Sequence, residues 1–341
     1  MSTTTLVTGG AGFLGSHVAE QCLKLGHSVI ILDDLSGGFE SNVPHGVRFV
    51  KGSVTDDALV ESLFNENQID FVYHLAAYAA EGLSHFIRRF NYTNNLVGTV
   101  TVLNAAIRAG RVRRFVFTSS IAVYGSAQVP MDEATRPVPE DPYGISKYAA
   151  ELDLESAHRL FGLNYTIFRP HNIYGERQNL GDLYRNVLGI FINQVMKGEP
   201  MSVFGDGLQT RAFTHVDDVA PLIARCVDIP ASCNNVFNVG ADTPHSVLEL
   251  AHMVADAFGV APSIRHLPVR EEVVNAYSSH DKTTQVFGKP NPVPLSVGVR
   301  RMVAWARKIG PTSGRAFRNI EVRQKLPPSW AVLSAQGGKE F

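Results

Sequence analysis

The chain has little of what marks secreted, membrane-bound or nucleic-acid-binding proteins. Three of its 341 residues are cysteines, Cys22, Cys226 and Cys233, too few and too scattered for a disulfide framework or a CxxC metal site. The formal net charge of −1 provides no bulk basicity that would attract nucleic acid or an anionic membrane. No run of about 18 apolar residues occurs, and the opening MSTTTLVTGG lacks the charged and apolar regions of a signal peptide. We therefore expect a cytoplasmic protein with no membrane, nucleic-acid or metal partner.

Short apolar segments alternate with segments of helical spacing through the first half of the chain. Strands that alternate with helices of about ten or more residues predict βαβ units and an α/β fold with a doubly wound parallel sheet. A chain of 341 residues is also long enough to divide its core between two domains. The predicted strands are Thr4–Thr8, Ser28–Leu32, Val47–Val50, Phe71–Leu75, Arg114–Thr118 and Leu163–Phe168, and the predicted helices are Ser16–Leu25, Asp57–Glu66, Asn94–Ala109 and Tyr143–Phe161. The residues beyond Gly310 are rich in Pro, Gly and Ser and predict a tail of uncertain order.

A glycine loop, GGAGFLG, follows the first predicted strand at residues 9–15. Gly9, Gly12 and Gly15 permit a tight turn, close approach of the backbone to a pyrophosphate, and tight packing of a helix on the strand. Asp33 ends the next strand, where a carboxylate accepts hydrogen bonds from the adenosine ribose and repels a 2′-phosphate. The pattern predicts a dinucleotide site that prefers NAD to NADP. A structural glycine turn with a solvated Asp33 is the alternative.

Tyr143 and Lys147 lie four residues apart in a predicted helix, so their side chains share one face. A free tyrosine has a pKa of about 10 and is a poor base, but a nearby cation favours the phenolate. Ser120 precedes them and has a hydroxyl that can donate and accept toward a hydroxyl becoming a ketone. Together the three predict a catalytic site in which Tyr143 is the base. Considered alone, a YxxxK pattern more often lies on the exposed face of a helix. The alternative for Ser120 is a structural serine in the turn at the end of a strand.

These segments together resemble the extended short-chain dehydrogenase/reductase family, in the branch that acts on nucleotide sugars. The resemblance also includes HLAA (74–77), SSIAVYG (119–125), YGISK (143–147), RPHNIYG (169–175) and GDGLQTRAFTHVDDVA (205–220). It implies a Rossmann domain that binds NAD, formed by residues 1–170 with parts of 212–240. It further implies a smaller α/β substrate domain from residues 171–211 and 241–310, followed by the tail 311–341. A homodimer and a nucleotide-diphosphate sugar are the implied partners, with UDP preferred and GDP left open.

The resemblance also implies a role for single residues. The position after the third strand often carries Asp in this family, whereas Ser53 and Val54 stand here, so the adenine contact is altered. Tyr277 aligns with a residue that limits the size of the sugar pocket, although it could equally be a core tyrosine. His171 and His215 are expected to be structural. The implied cofactor contacts are Gly9, Gly12, Phe13, Leu14, Gly15, Asp33, Ser53, Val54, Leu75, Ala76, Ala77, Asn94, Tyr143 and Lys147, and the implied substrate contacts are Ser120, Tyr143, Asn172, Arg211, Arg270 and Tyr277.

The residues after Ser120 indicate which reaction follows the oxidation. Related dehydratases carry an Asp-Glu pair there, decarboxylases a Glu and a 3,5-epimerase a Cys, whereas this chain has Ile121 and Ala122. Neither side chain can move a proton, so the keto intermediate is expected to rotate and take the hydride back on its other face. This predicts 4-epimerisation of UDP-glucose and UDP-galactose. A UDP-glucuronate epimerase, a net oxidoreductase and a non-catalytic NAD-binding regulator remain as alternatives.

Overall fold

The computed structural model describes residues 3–185, 187–269, 275–289, 291–314, 317–328 and 330. Seven of the fourteen described strands form one sheet in the first 240 residues, and the other seven form three small sheets. The described strands are β1 Thr4–Thr8, β2 Ser28–Asp33, β3 Arg48–Lys51, β4 Phe71–His74, β5 Arg114–Thr118, β6 Tyr165–Pro170, β7 Ile173–Tyr174, β8 Met201–Phe204, β9 Thr210–Ala212, β10 Thr214–His215, β11 Asn235–Val239, β12 Pro244–Ser246, β13 Ile264–Leu267 and β14 Asn275–Ala276.

The helices follow the strands in the first half and dominate the second. Within the first half, the two short helices α3 and α4 were not predicted, and a π-helical turn at Thr93–Val97 joins α4 to α5. The helices after α6 were not predicted either. The described α-helices are α1 Phe13–Lys24, α2 Asp57–Glu66, α3 Glu81–Ser84, α4 Arg88–Tyr92, α5 Gly98–Ala109, α6 Pro142–Phe161, α7 Val187–Met196, α8 Val216–Arg225, α9 Val247–Phe258, α10 Asp281–Phe287 and α11 Leu295–Ile309.

The large sheet has seven strands in the order β11-β6-β5-β4-β1-β2-β3, and every neighbouring pair runs parallel. The strand order reverses direction at β1, which lies between β2 and β4. In open α/β sheets the crevice outside the carboxyl ends of strands at such a reversal is where ligands bind. The α/β fold with a doubly wound parallel sheet is therefore confirmed, and its geometry points to the loops after β1 and β4.

Alternating side chains of the strands bury both faces of this sheet. Leu6 packs with α2, α5 and α6 on one face, whereas its neighbour Val7 packs with α1 and α8 on the other. Both side chains are fully buried, as expected for a parallel strand covered on two sides. A separate core unites β8 with α7, α9 and α11 through residues such as Phe191, Leu250 and Met302. The cleft described below lies between the strand ends and this second core.

The described part of the segment after α11 is packed against the rest of the chain. Phe317 and Trp330 are buried, and they join a cluster with Leu83 of α3, Ile87 before α4 and Tyr184. The composition of this segment predicted a tail of uncertain order. The aromatic residues that pack against it, Phe86, Phe90 and Tyr184, lie far earlier in the chain, so no local pattern indicates this packing. Among the described residues, no helix is both long and apolar enough to cross a membrane.

Candidate active site

One large cleft, with a volume of about 1940 Å³, runs along the carboxyl ends of the sheet strands. It is lined by the glycine loop, the ends of β2, β4 and β5, the start of α6, and residues of the second core. Pockets for a single drug-sized ligand are typically about 300–1,000 Å³, so this cleft has room for two large ligands side by side. That is the space a dinucleotide and a second nucleotide would need.

The glycine loop brings the backbone against this cleft. Gly9 has φ of 71°, and a Cβ added there would lie 2.7 Å from the backbone nitrogen of Ala76. A Cβ on Gly15 would overlap the carbonyl oxygen of Gly9. Residues 12–15 line the cleft, and within the described part of the chain no side chain caps the start of α1. The amides and positive dipole end of this helix therefore suit a pyrophosphate.

Asp33 stands at the carboxyl end of β2, beside the glycine loop. Its carboxylate accepts hydrogen bonds from the backbone N–H of Ala11 at 3.0 Å and of Leu35 at 2.8 Å. Burial raises the pKa of Asp33, and these amide hydrogen bonds lower it. The side chain is thus held at the cleft wall with acceptor capacity left over, because each carboxylate oxygen has two lone pairs. This arrangement fits the ribose of an adenosine.

The other predicted cofactor contacts mostly line the same cleft. Asn94 is fixed there by a 2.8 Å hydrogen bond from its amide nitrogen to the carbonyl of Phe90. Ser53 is the exception, since its hydroxyl pairs with that of Thr55 at 2.9 Å and it is not among the lining residues. Those that line the cleft are Gly9, Gly12, Phe13, Leu14, Gly15, Asp33, Val54, Leu75, Ala76, Ala77, Asn94, Tyr143 and Lys147.

Ser120, Tyr143 and Lys147 converge where β5 ends and α6 begins. Asp141 caps α6 by accepting a hydrogen bond from the N–H of Gly144 at 3.0 Å, and Tyr143 follows in the first turn. Lys147 Nζ donates to the carbonyl oxygen of Thr118 at 2.7 Å and lies 5.9 Å from the centre of the Tyr143 ring. All three predicted catalytic residues line the cleft.

Burial has the largest effect on the pKa values of Tyr143 and Lys147. It raises the pKa of Tyr143, and the hydrogen bond with Ser120 lowers it. Burial also lowers the pKa of Lys147 to about 7, opposed by the nearby Glu151. The spacing of Tyr143 and Lys147 predicted that the cation brings the pKa of the phenol toward neutral pH. In the structure desolvation acts in the opposite direction on Tyr143 and is the larger effect.

A buried ion pair that sequence reasoning missed lies behind Lys147. The Glu151 carboxylate receives Arg169 Nε at 3.0 Å and Nη2 at 2.5 Å, and it also accepts a short hydrogen bond from Ser119. Arg169 Nη1 donates to the hydroxyl of Tyr124 at 2.7 Å. Glu151 is four residues after Lys147, so helical spacing was the available signal. It places a negative charge next to the lysine.

Charged residues from outside the predicted motifs surround Tyr143. Glu81 of α3 lines the cleft, and its charge and that of Asp141 raise the pKa of Tyr143, whereas Arg185 lowers it. Arg185 also lines the cleft and pairs through Nε with Asp182 at 2.5 Å. No spacing rule connects these residues to YxxxK, which explains why the sequence did not identify them.

The predicted substrate contacts divide into three outcomes. Asn172 and Arg211 line the cleft, near the second core. Tyr277 is half-buried and is not among the residues that line the cleft, and its carbonyl accepts a hydrogen bond from the N–H of Met131. Arg270 lies outside the described residues. The roles assigned to these four stay predictions.

The two histidines expected to be structural are both fully surrounded by protein. His171 hydrogen-bonds the carbonyl of Ala212 at 3.1 Å and Nε2 of His280 at 3.0 Å, and burial lowers its pKa to about 3. His215 Nδ1 accepts from the N–H of Asp217 and caps α8. Neither is a cleft-lining residue. Among the described residues there is no cluster of three His, Cys, Asp or Glu side chains that could hold a metal ion.

Comparison with known proteins identifies the family to which the chain belongs. The profile of the NAD dependent epimerase/dehydratase family matches residues 5–240. The chain belongs to this family. It is therefore an NAD-dependent enzyme of the epimerase branch, as its motifs predicted, and its glycine loop and Asp33 supply the features that NAD requires.

Individual relatives of the family differ in their sugars. A UDP-glucose 4-epimerase from Mycolicibacterium smegmatis is 34% identical over 312 residues, which cover 89% of this chain and 98% of that protein. The structure of a UDP-glucose 4-epimerase from Thermotoga maritima with UDP-glucose is 32% identical, with a TM-score of 0.85, and covers 90% of this chain and 99% of that one. A UDP-glucuronic acid 4-epimerase from Bacillus cereus, in complex with UDP-glucuronic acid and NAD, is 26% identical with a TM-score of 0.83 and covers 90% and 100%.

The relatives differ in the sugar they act on, and part of this chain lies outside each match. The relatives act on neutral and on acidic UDP-sugars, so family membership does not decide the substrate. About a tenth of this chain also lies outside each match, although nearly the whole of each relative is covered. The segment after α11 has about this length.

Proposed function

We propose that the enzyme interconverts the C4 epimers of a UDP-hexose, with UDP-glucose and UDP-galactose as its substrates. The observation that carries this proposal is the convergence of Ser120, Tyr143 and Lys147 in one cleft, with no proton-transfer group directly after Ser120. Ile121 and Ala122 occupy those positions and are not among the cleft-lining residues. Oxidation at C4 can then proceed, and the same site can reverse it on the other face of the sugar.

Each side chain has a defined task in this proposal. Tyr143 takes the proton of the C4 hydroxyl and returns it, while Ser120 hydrogen-bonds the oxygen as it becomes a ketone. Protonated Lys147 favours the phenolate of Tyr143 and orients the nicotinamide ribose. Bound NAD supplies the reversible hydride acceptor that the oxidation requires. Arg211 and Asn172 hold the diphosphate of the substrate, since a guanidinium offers planar, permanently charged donors.

The charges near Tyr143 favour a neutral sugar over a uronate. Glu81 and Asp141 are carboxylates that act on Tyr143, and the cation that opposes them, Arg185, is already paired with Asp182. A carboxylate on the sugar would meet this excess of negative charge, because like charges at close range in a partly desolvated site repel strongly. We therefore place UDP-glucuronate second among the candidate substrates.

A panel of sugar nucleotides tests the proposal. The purified enzyme is incubated with UDP-glucose, UDP-galactose, UDP-glucuronate, UDP-N-acetylglucosamine and GDP-mannose, and the products are separated and weighed by mass spectrometry. The proposal predicts a product of unchanged mass and altered retention time from UDP-glucose and UDP-galactose. Loss of water or carbon dioxide would instead identify a dehydratase or decarboxylase. These outcomes are tested because the carboxylate of Glu81 lines the cleft, and a carboxylate could transfer the proton that dehydration requires.

The assembly and location are part of the same proposal. We infer a homodimer through α5 and α6, because Val97, at the end of the turn before α5, is 51% exposed, and Leu152 of α6 is 47% exposed. Analytical sedimentation of the wild type and of Leu152→Glu tests the homodimer, which predicts a dimer for the wild type and a monomer for the variant.

We also infer a cytoplasmic location, because the three cysteines are free thiols and two of them are buried.

A further inference from the structure

We propose that the C-terminal segment, defined as residues 317–328 and 330, is part of the active site. It forms the wall of the cleft at the sugar end and positions α3 and α4 there. The proposal relies on the proposed function only for the identity of the ligand, a nucleotide-linked sugar.

The segment borders the cleft directly. Val322, residues 324–328 and Trp330 line it, together with Glu81 and Gly82 of α3 and Phe86 between α3 and α4. Ser84 of α3 donates a hydrogen bond to Asp141, which caps the helix that carries Tyr143, so this end of the cleft is the catalytic end. The wall is apolar at Leu326, Pro327 and Trp330 and polar at Gln324 and Lys325. Such a surface can exclude water from a sugar while offering it hydrogen bonds.

Backbone hydrogen bonds attach the segment to α4. The Glu321 carboxylate accepts from the N–H of Arg89 at 2.7 Å and of Phe90 at 2.8 Å, so it satisfies two amides at the start of that helix. The N–H groups of Glu321 and Val322 both donate to the carbonyl of Phe86, at 2.8 and 3.2 Å. These contacts fix the segment in register with α4, beyond general hydrophobic packing.

Two aromatic residues anchor the segment on α3 and α4. Trp330 is 5% exposed and packs edge-on against Phe86 and Tyr184, with ring centres 6.2 and 5.3 Å apart. A Cβ added to Gly82 would lie 3.3 Å from the Trp330 ring, so the indole rests on the backbone of α3. Phe317 packs on Phe90 at 4.9 Å, and its N–H donates to the Tyr184 hydroxyl at 3.0 Å.

A short chain of contacts connects this anchor with the catalytic base. Ser84, at the end of α3, donates to Asp141 at 3.1 Å. Asp141 caps the helix whose first turn carries Tyr143. On the other side of Trp330, Tyr184 precedes Arg185, whose charge acts on Tyr143. The segment therefore touches both elements that place charges around the base, and Trp330 is a positioning residue.

Two variants and one control test the proposal. Trp330→Ala removes the aromatic anchor, and Glu321→Ala removes the link to α4. Trp305→Phe alters the second tryptophan, which lies in α11, packs against the second core and is not among the cleft-lining residues. For Trp330→Ala we expect kcat/KM for the UDP-sugar to fall by at least about tenfold, since small misplacements at an active site are costly. Bound NAD should stay near the wild-type value, whereas the melting temperature of Trp330→Ala should fall, because truncating a buried aromatic side chain leaves a cavity. Trp305→Phe should have wild-type kinetics.

Hydrogen–deuterium exchange provides a readout that needs no substrate. Peptides that cover residues 81–92 should exchange faster in both variants than in the wild type. If wild-type enzyme turns over no UDP-sugar, the proposed function fails, while the exchange data still decide whether the segment positions α3 and α4. If Trp330→Ala fails to fold, Glu321→Ala and the fluorescence of Trp330 in the Trp305→Phe protein replace it. Wild-type kinetics and exchange in the folded variants, or no emission change with UDP-sugar, would overturn the proposal.

Discussion

Lys147 Nζ donates a 2.7 Å hydrogen bond to the carbonyl oxygen of Thr118, the last residue of β5. This bond ties the helix that carries Tyr143 to the strand end that carries Ser120, so the predicted base, its cation and the hydroxyl move as one unit. The carbonyl also accepts one of the hydrogen bonds that the ammonium group of Lys147 can donate, and this residue is 2% exposed. Burial of this kind has measurable consequences for stability and for catalysis.

Stability should depend on pH through Lys147. Burial lowers its pKa to about 7 from an ordinary value of 10.5, so between these values the unfolded chain binds more protons than the folded one. The contribution of Lys147 to the free energy of unfolding therefore rises with pH across this window and is lost as the pH falls to about 7. Urea unfolding of the wild type and Lys147→Met at pH 7 and pH 9.5 measures it. The variant should gain most relative to the wild type at pH 7, and a constant difference would contradict the assignment.

Removing the charge of Glu151 should cost stability and not only activity. Glu151→Gln leaves Arg169 buried without its carboxylate, and breaking such a pair typically costs about 3–5 kcal/mol. The double variant Glu151→Gln/Arg169→Met, which removes both charges, should recover part of the loss. Chemical denaturation of the single and double variants provides the comparison. Equal destabilisation in both would show that the ion pair is not the cause.

Asp33 should control the choice of dinucleotide. Asp33→Ser removes the acceptor for the ribose hydroxyls and the repulsion of a 2′-phosphate, so affinity for NAD should fall by at least about tenfold, the scale of a lost hydrogen bond to a charged group. Binding of NADP should weaken less or improve. Calorimetric titration of protein freed of cofactor measures both. Asp57→Asn, at an exposed helix start, is the matched control and should bind NAD like the wild type.

Tyr143→Phe should abolish turnover while the fold and NAD content persist. Loss of a general acid–base group typically lowers the rate by about 10²–10⁴-fold, and the ring that fills the site is kept. Tyr148→Phe, one turn further along α6 and outside the cleft lining, should retain wild-type turnover. Steady-state rates and the NAD released on denaturation are the two measurements. Substantial activity in Tyr143→Phe would remove the tyrosine from its proposed role.

Much of the first half of the fold follows from local pattern. The strand Arg114–Thr118 and the helix Asp57–Glu66 were predicted with their observed bounds, because apolar runs and helical spacing there agree with the tertiary structure. The glycine loop and Asp33 were likewise identified from spacing, and they line one cleft. These features are legible because each depends on residues close together in the chain.

The rest depends on contacts that no local pattern records. Helices α3 and α4 are too short for a periodic signal and are held by Glu321 and Trp330 from the far end of the chain. Glu81 of α3 lines the cleft, and its charge raises the pKa of Tyr143. The pKa of Tyr143 was expected to respond to Lys147, whereas burial dominates it, and burial is a property of the folded site.

The most direct test follows the hydrogen on C4. UDP-galactose with deuterium at C4 is incubated with the enzyme in ordinary water, and the UDP-glucose product is analysed by NMR. We predict that the deuterium stays at C4 of the product, with no net change in bound NAD, because oxidation and reduction occur in one closed site. Loss of the deuterium to water, or accumulation of reduced cofactor with a released keto sugar, would contradict 4-epimerisation by this enzyme.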